Sequence, residues 1–102
     1  MIEITQEMER VFNENPLYCK DGQGQKAKVI ARCFIPGTFF QWLITEASME
    51  NGQWILYGYC HIFVWEWGYI SLVELMGINT YGQTISAEVF QKDAQRSVES
   101  FL

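Results

Sequence analysis

The stretch Gln53-Trp54-Ile55-Leu56-Tyr57-Gly58-Tyr59-Cys60-His61-Ile62-Phe63-Val64 decides the fold. Successive side chains of a strand point to opposite faces, so the run separates into two sets. Trp54, Leu56, Gly58, Cys60 and Ile62 share one face, and Ile55, Tyr57, Tyr59, His61 and Phe63 share the other. Both sets are apolar or aromatic, which places the strand inside a sheet covered on one side and half open on the other. The run is long for one strand, and Gly58 is the expected point of a bend or bulge.

Working outward, Ser48-Met49-Glu50-Asn51-Gly52 reads as a hairpin connection, because Asn-Gly readily takes positive φ. It leads back to a second strand, from about Phe39 to Ala47, rich in β-branched and aromatic residues. Pro36-Gly37 separates that strand from a first, Ala27 to Phe34. Downstream, Trp67-Gly68-Tyr69-Ile70 forms a short fourth strand. Ser71 and Glu74 then stand at the capping-box spacing of a helical turn over 71–76, which Gly77 stops. Near the start, Met8, Val11 and Phe12 recur at helical spacing behind Thr5, and Asn15-Pro16 ends that helix. Ile78 to Thr84 reads as a loop. Phe90, Ala94, Val98 and Phe101 are separated by steps of four, four and three, which predicts a C-terminal helix. The expected fold is therefore α+β: one domain over residues 1–102, with an antiparallel sheet of about four strands, an N-terminal helix, a short helix near 71–76 and a C-terminal helix.

Charge narrows the function classes. From residue 33 to residue 91 the chain has no Lys or Arg, while Glu46, Glu50, Glu66, Glu74 and Glu88 and most of its aromatic residues fall there. The formal net charge of −5 opposes sequence-independent attraction to nucleic acid or anionic lipid. An aromatic-rich sheet with an acidic edge suits a basic protein surface better. The sequence starts without a basic-then-apolar leader, since Glu3, Glu7 and Glu9 occupy that region, and no apolar run reaches the ~20 residues of a membrane span. Cys19, Cys33 and Cys60 are odd in number and form no C-x-x-C pair, which favours reduced thiols in a cytoplasmic protein.

No constellation specifies a reaction. Gly22-Gln23-Gly24-Gln25-Lys26 lacks the phosphate-loop spacing and precedes a strand rather than a helix. With Lys20, Lys28 and Arg32 it makes the one basic patch. His61 is the single histidine, and neither a nucleophile nor a set of zinc ligands stands at a recognisable spacing from it. Glu66, between Trp65 and Trp67, has the surroundings of a carboxyl whose pKa could rise, but an acid of that kind needs a second carboxylate at a defined distance. No catalytic residue, metal site or cofactor is expected.

Pro16-Leu17-Tyr18, Lys20-Asp21-Gly22-Gln23-Gly24, Ala27-Lys28-Val29, Phe34 with Pro36, Trp42 with Thr45-Glu46, Tyr57-Gly58-Tyr59 and Glu66-Trp67-Gly68-Tyr69-Ile70-Ser71-Leu72 with Glu74-Leu75 follow in order. Together they resemble a small domain-of-unknown-function family carried by phages, plasmids and conjugative elements, which is similar in turn to a type II-A anti-CRISPR inhibitor. Ile70 stands where Phe is usual, and the tail after Gly77 departs from the common pattern. The resemblance implies a stoichiometric, non-enzymatic inhibitor; apart from it, the chain is expected to be a monomer in the cytoplasm of a bacterial host. Its partner would be a type II CRISPR effector nuclease with guide RNA, bound through protein contacts that block target DNA, with no direct nucleic-acid or membrane binding. Asp21, Glu46, Glu50, Glu66 and Glu74 are the candidate acidic contacts, and Trp67 and Tyr69 the candidate anchors. The alternatives are a small ligand-binding or hydrolytic domain of mobile elements using His61 and Glu66, and a housekeeping protein of conjugative elements.

Overall fold

A computed structural model describes residues 4–80 and 82–102. Glu3, used above in the argument about a leader, and Tyr81, within the segment read as a loop, lie outside the described residues. Helix α1 spans Gln6–Glu14 and is capped by the Thr5 hydroxyl, which accepts from the Met8 amide at 3.1 Å. Strands β1 (Ala31–Phe34), β2 (Gln41–Glu50), β3 (Gln53–His61) and β4 (Trp65–Ser71) form an antiparallel meander. Helix α2 (Leu72–Met76) follows with both arms of its capping box made. Then come a two-stranded ribbon, β5 (Asn79–Thr80) and β6 (Gln83–Thr84), and a last strand, β7 (Ser86–Val89), which pairs with the outer edge of β1.

The main sheet thus has five strands in the order β4-β3-β2-β1-β7, against the four expected. The fifth strand comes from the segment predicted as a C-terminal helix. In its place stand β7 and two short 3-10 turns, Lys92–Ala94 and Val98–Phe101. The reason is the open edge of β1, a row of unsatisfied amides and carbonyls that a helix would leave bare. The tail satisfies it: β7 pairs antiparallel along Ala31–Phe34, and just ahead of β1 the Phe90 amide donates to Ile30 O at 2.8 Å, Val29 to Arg96 O at 2.8 Å and Val98 to Ala27 O at 2.9 Å. Phe90, Val98 and Phe101 still pack together as their periodicity suggests, but as rungs against the sheet.

The principal core lies on the face carrying Cys33, Trp42, Ile44, Trp54 and Leu56, under α1 and α2. Phe12 meets Trp54 edge-on at 5.2 Å. On the opposite face Leu43 packs with Val29 and Val98, and the half-buried Tyr59, Trp65 and Trp67 of β3 and β4 pack against this second cluster. Over β3 and β4 that face is left to aromatic side chains. No helix among the described residues is long and apolar enough to cross a membrane.

The irregularity expected at Gly58 lies instead on the partner strand. β2 carries a bulge between Ile44 and Glu46, and Gly58 stands opposite it. A Cβ at Gly58 would sit 2.0 Å from Leu43 O and 2.8 Å from Ile44 Cα, so the bulged strand approaches as only glycine permits. Thr45 is the extra residue. Inserting it inverts the alternation of β2, so that Ala47 joins the main core and Glu46 turns to the aromatic face.

A ring-floored pocket beside the 16–26 loop

The open face of β3 and β4 is a continuous ladder of rings. Tyr57, Tyr59 and His61 pair directly across the strands with Tyr69, Trp67 and Trp65. Ring centroids lie 4.6 Å apart for Tyr57–Tyr69, 4.9 Å for Tyr59–Trp67 and 5.0 Å for His61–Trp65. The diagonals stack nearly flat, Tyr57 on Trp67 at 5.5 Å and Tyr59 on Trp65 at 5.2 Å. Cross-strand aromatic pairs of this kind contribute about 0.5–1.5 kcal/mol each beyond their area burial. Tyr69 ends the ladder and remains 57% exposed.

Beside the ladder the segment from Pro16 to Lys26 folds back through successive tight turns. What pins it is Glu46, which is only 3% exposed. One carboxylate oxygen accepts from the Tyr18 amide at 2.8 Å and the other from the Lys20 amide at 2.9 Å. These bonds hold Tyr18 in the left-handed region, φ 75°, a strained conformation for a non-glycine residue. Lys20 turns its ammonium inward, donating to Lys28 O at 2.7 Å and Thr45 O at 2.9 Å. Burial lowers the pKa of that amine, against the pull of nearby negative charge that includes Glu46.

Between loop and ladder lies a half-open pocket of about 340 Å³, lined by Lys20, Asp21, Gly22, Gly24, Ala27, Thr45, Glu46, Tyr57 and Trp67. Two rings make its floor, and the loop backbone and two carboxylates make its wall. The Tyr57 hydroxyl is pushed above its ordinary pKa by burial first and then by the charges of Glu46 and Asp21.

Of the seven expected contact residues, Asp21, Glu46 and Trp67 meet at this pocket, and Tyr69 adjoins it through Tyr57. Glu46 is engaged internally, so its charge reaches the pocket from within the wall. The others are dispersed. Glu50 is exposed beside the Asn51-Gly52 turn, whose residues have φ 50° and 80° as that dipeptide predicts. Glu66 is exposed opposite Cys60, on the other side of the sheet from the rings. Glu74 is exposed on α2, where its carboxylate accepts from the Ser71 amide at 3.2 Å. His61 has its Nδ1 3.0 Å from Phe39 O and lies among the rings, so His61 and Glu66 do not share a face.

Sequence reasoning missed Lys20 and Tyr57 as pocket residues, although alternation already put Tyr57 on the face of Tyr59 and His61. It also did not single out one end of the sheet, where the β1–β2 and β3–β4 turns display Phe39 at 85% exposure and Phe63 at 90%. Among the described residues no group of three His, Cys, Asp or Glu side chains is placed to hold a metal ion. No protein-family model, curated protein or solved structure matches this chain.

Proposed function

We propose that this chain is a stoichiometric inhibitor of a guide-loaded type II-A CRISPR nuclease, an anti-CRISPR protein of mobile elements acting as a monomer in the bacterial cytoplasm. It binds the nuclease directly and blocks its engagement of target DNA, without turnover of a substrate. The observation that carries this reading is the open ring ladder of β3 and β4, with the Asp21–Glu46 pocket at its side and no Lys or Arg in either strand. Aromatic side chains supply much of the energy at protein interfaces, and such nucleases hold DNA through Arg and Lys in a positively charged channel. Trp67 and Tyr69 are the anchors, Asp21 the adjoining charge, and Glu50, Glu66 and Glu74 outlying carboxylates that favour the encounter. The resemblance of the Trp67-to-Leu75 motif to the phage and plasmid family points the same way.

The test is co-purification of the chain with the nuclease and its guide RNA, followed by cleavage of a target duplex. A stable complex and suppressed cleavage are expected. Absence of a complex, with cleavage unchanged at tenfold molar excess, removes the reading.

A further inference from the structure

We propose that the pocket beneath the 20–27 loop receives a single arginine side chain presented by a protein partner. This rests on the reading of the chain as a protein-binding module, and it names the chemistry that its pocket selects.

Charge argues first. A carboxylate as deeply buried as Glu46 is costly unless compensated, and its two hydrogen bonds both come from main-chain amides. The nearest amine, on Lys20, is committed to the carbonyls of Lys28 and Thr45. With Asp21, an exposed residue of the loop, also in its lining, two negative side chains stand against one positive at this half-open concavity. An anion is disfavoured there, and a cation restores the balance.

Shape argues second. The floor is the stacked pair Tyr57 and Trp67, 15° from parallel. A planar guanidinium lies flat on such a surface and offers five N–H donors around its rim, whereas an ammonium is compact and more strongly hydrated. The lining beside these rings includes the carboxylate residues Asp21 and Glu46, the acceptor chemistry that suits a fork of donors. At about 340 Å³ the pocket admits one side chain and no more than a short piece of backbone.

The experiment titrates the full-length chain with Nα-acetyl-arginine methylamide and follows the Trp67 indole N–H by two-dimensional NMR. Blocked citrulline has the same shape without the charge, and blocked lysine has the charge without the plane. Saturable shifts are expected for arginine, with Kd on the order of 1 mM for so small a ligand. Lysine should bind more weakly, and citrulline about tenfold more weakly or not at all. Asp21→Asn, an exposed loop substitution that leaves the packing intact, should weaken arginine binding about two- to fivefold. Tyr57→Leu should weaken it further. No saturation with arginine, or equal binding of citrulline, overturns the proposal; the second result would make the rings a platform for flat neutral ligands. Nuclease binding is measured on the same samples. Arginine capture without nuclease binding leaves the pocket and removes the nuclease reading, and the converse leaves the nuclease reading and removes the pocket.

Discussion

Glu46 shows how one side chain can set the shape of a surface. It reaches the aromatic face because Thr45 is inserted before it, and once there it fixes the backbone of Tyr18 and Lys20. Replacing it by Gln preserves volume but turns one acceptor into a donor aimed at an amide. Glu46→Gln should therefore cost about 2–4 kcal/mol in urea unfolding, with losses concentrated in the amide-exchange protection of residues 17 to 21. A change below the error of the measurement would mean that the loop is held by its own turns. Cys33 offers a second test at this scale. Burial, then the charge on Cys60, pushes its thiol from 9.0 to about 12. The unfolded chain thus loses this proton first, so the contribution of Cys33 is complete below pH 9 and declines as pH rises toward 12, by up to about 1.4 kcal/mol per pH unit. Lys20, whose pKa is lowered, works in the opposite sense below its ordinary 10.5. Unfolding curves taken across this range should lose the Cys33 component of the slope in Cys33→Ala, whatever that substitution does to stability at neutral pH.

Among the elements, the β2–β3 pair carries the architecture. Gly58 lets the bulged strand come within contact of its backbone, and Gly58→Ala should cost about 1–3 kcal/mol or more, because the obstructing atoms are main chain and cannot rotate away. Thermal unfolding compared with Gly68→Ala, where a Cβ meets nothing within 4 Å, separates the steric effect from the general loss of a glycine. Much of this level was legible in the sequence. The Asn51-Gly52 turn, the Thr5 cap and the Ser71–Glu74 box act through neighbours in the chain, and each forms where its spacing indicates; the strand read over 53–64 also forms, but it ends at His61. The fifth strand was not legible, because Phe90, Val98 and Phe101 fit a helix by period while the demand that makes the tail extended comes from the distant β1 edge. The bulge was hidden for a related reason: Gly58 marked the place, but the strand carrying the extra residue depends on pairing. The pocket followed the bulge. Asp21 and Trp67 were expected as contacts, yet only the inverted alternation after Thr45 brings Glu46 to them.

At the scale of the molecule, charge and aromatic surface are divided by position. The sheet has a closed face that holds the fold and a half-open one whose rings and pocket are available to a partner. Steering by net charge should show as an association rate that falls with added salt, while the ring contacts govern dissociation. Calorimetric titration of the purified chain into a type II-A nuclease loaded with guide RNA is the most direct measurement. The account predicts one-to-one binding that weakens when Trp67 or Tyr69 is replaced by Ala and when ionic strength rises. No binding heat, together with no co-elution on gel filtration, would contradict it.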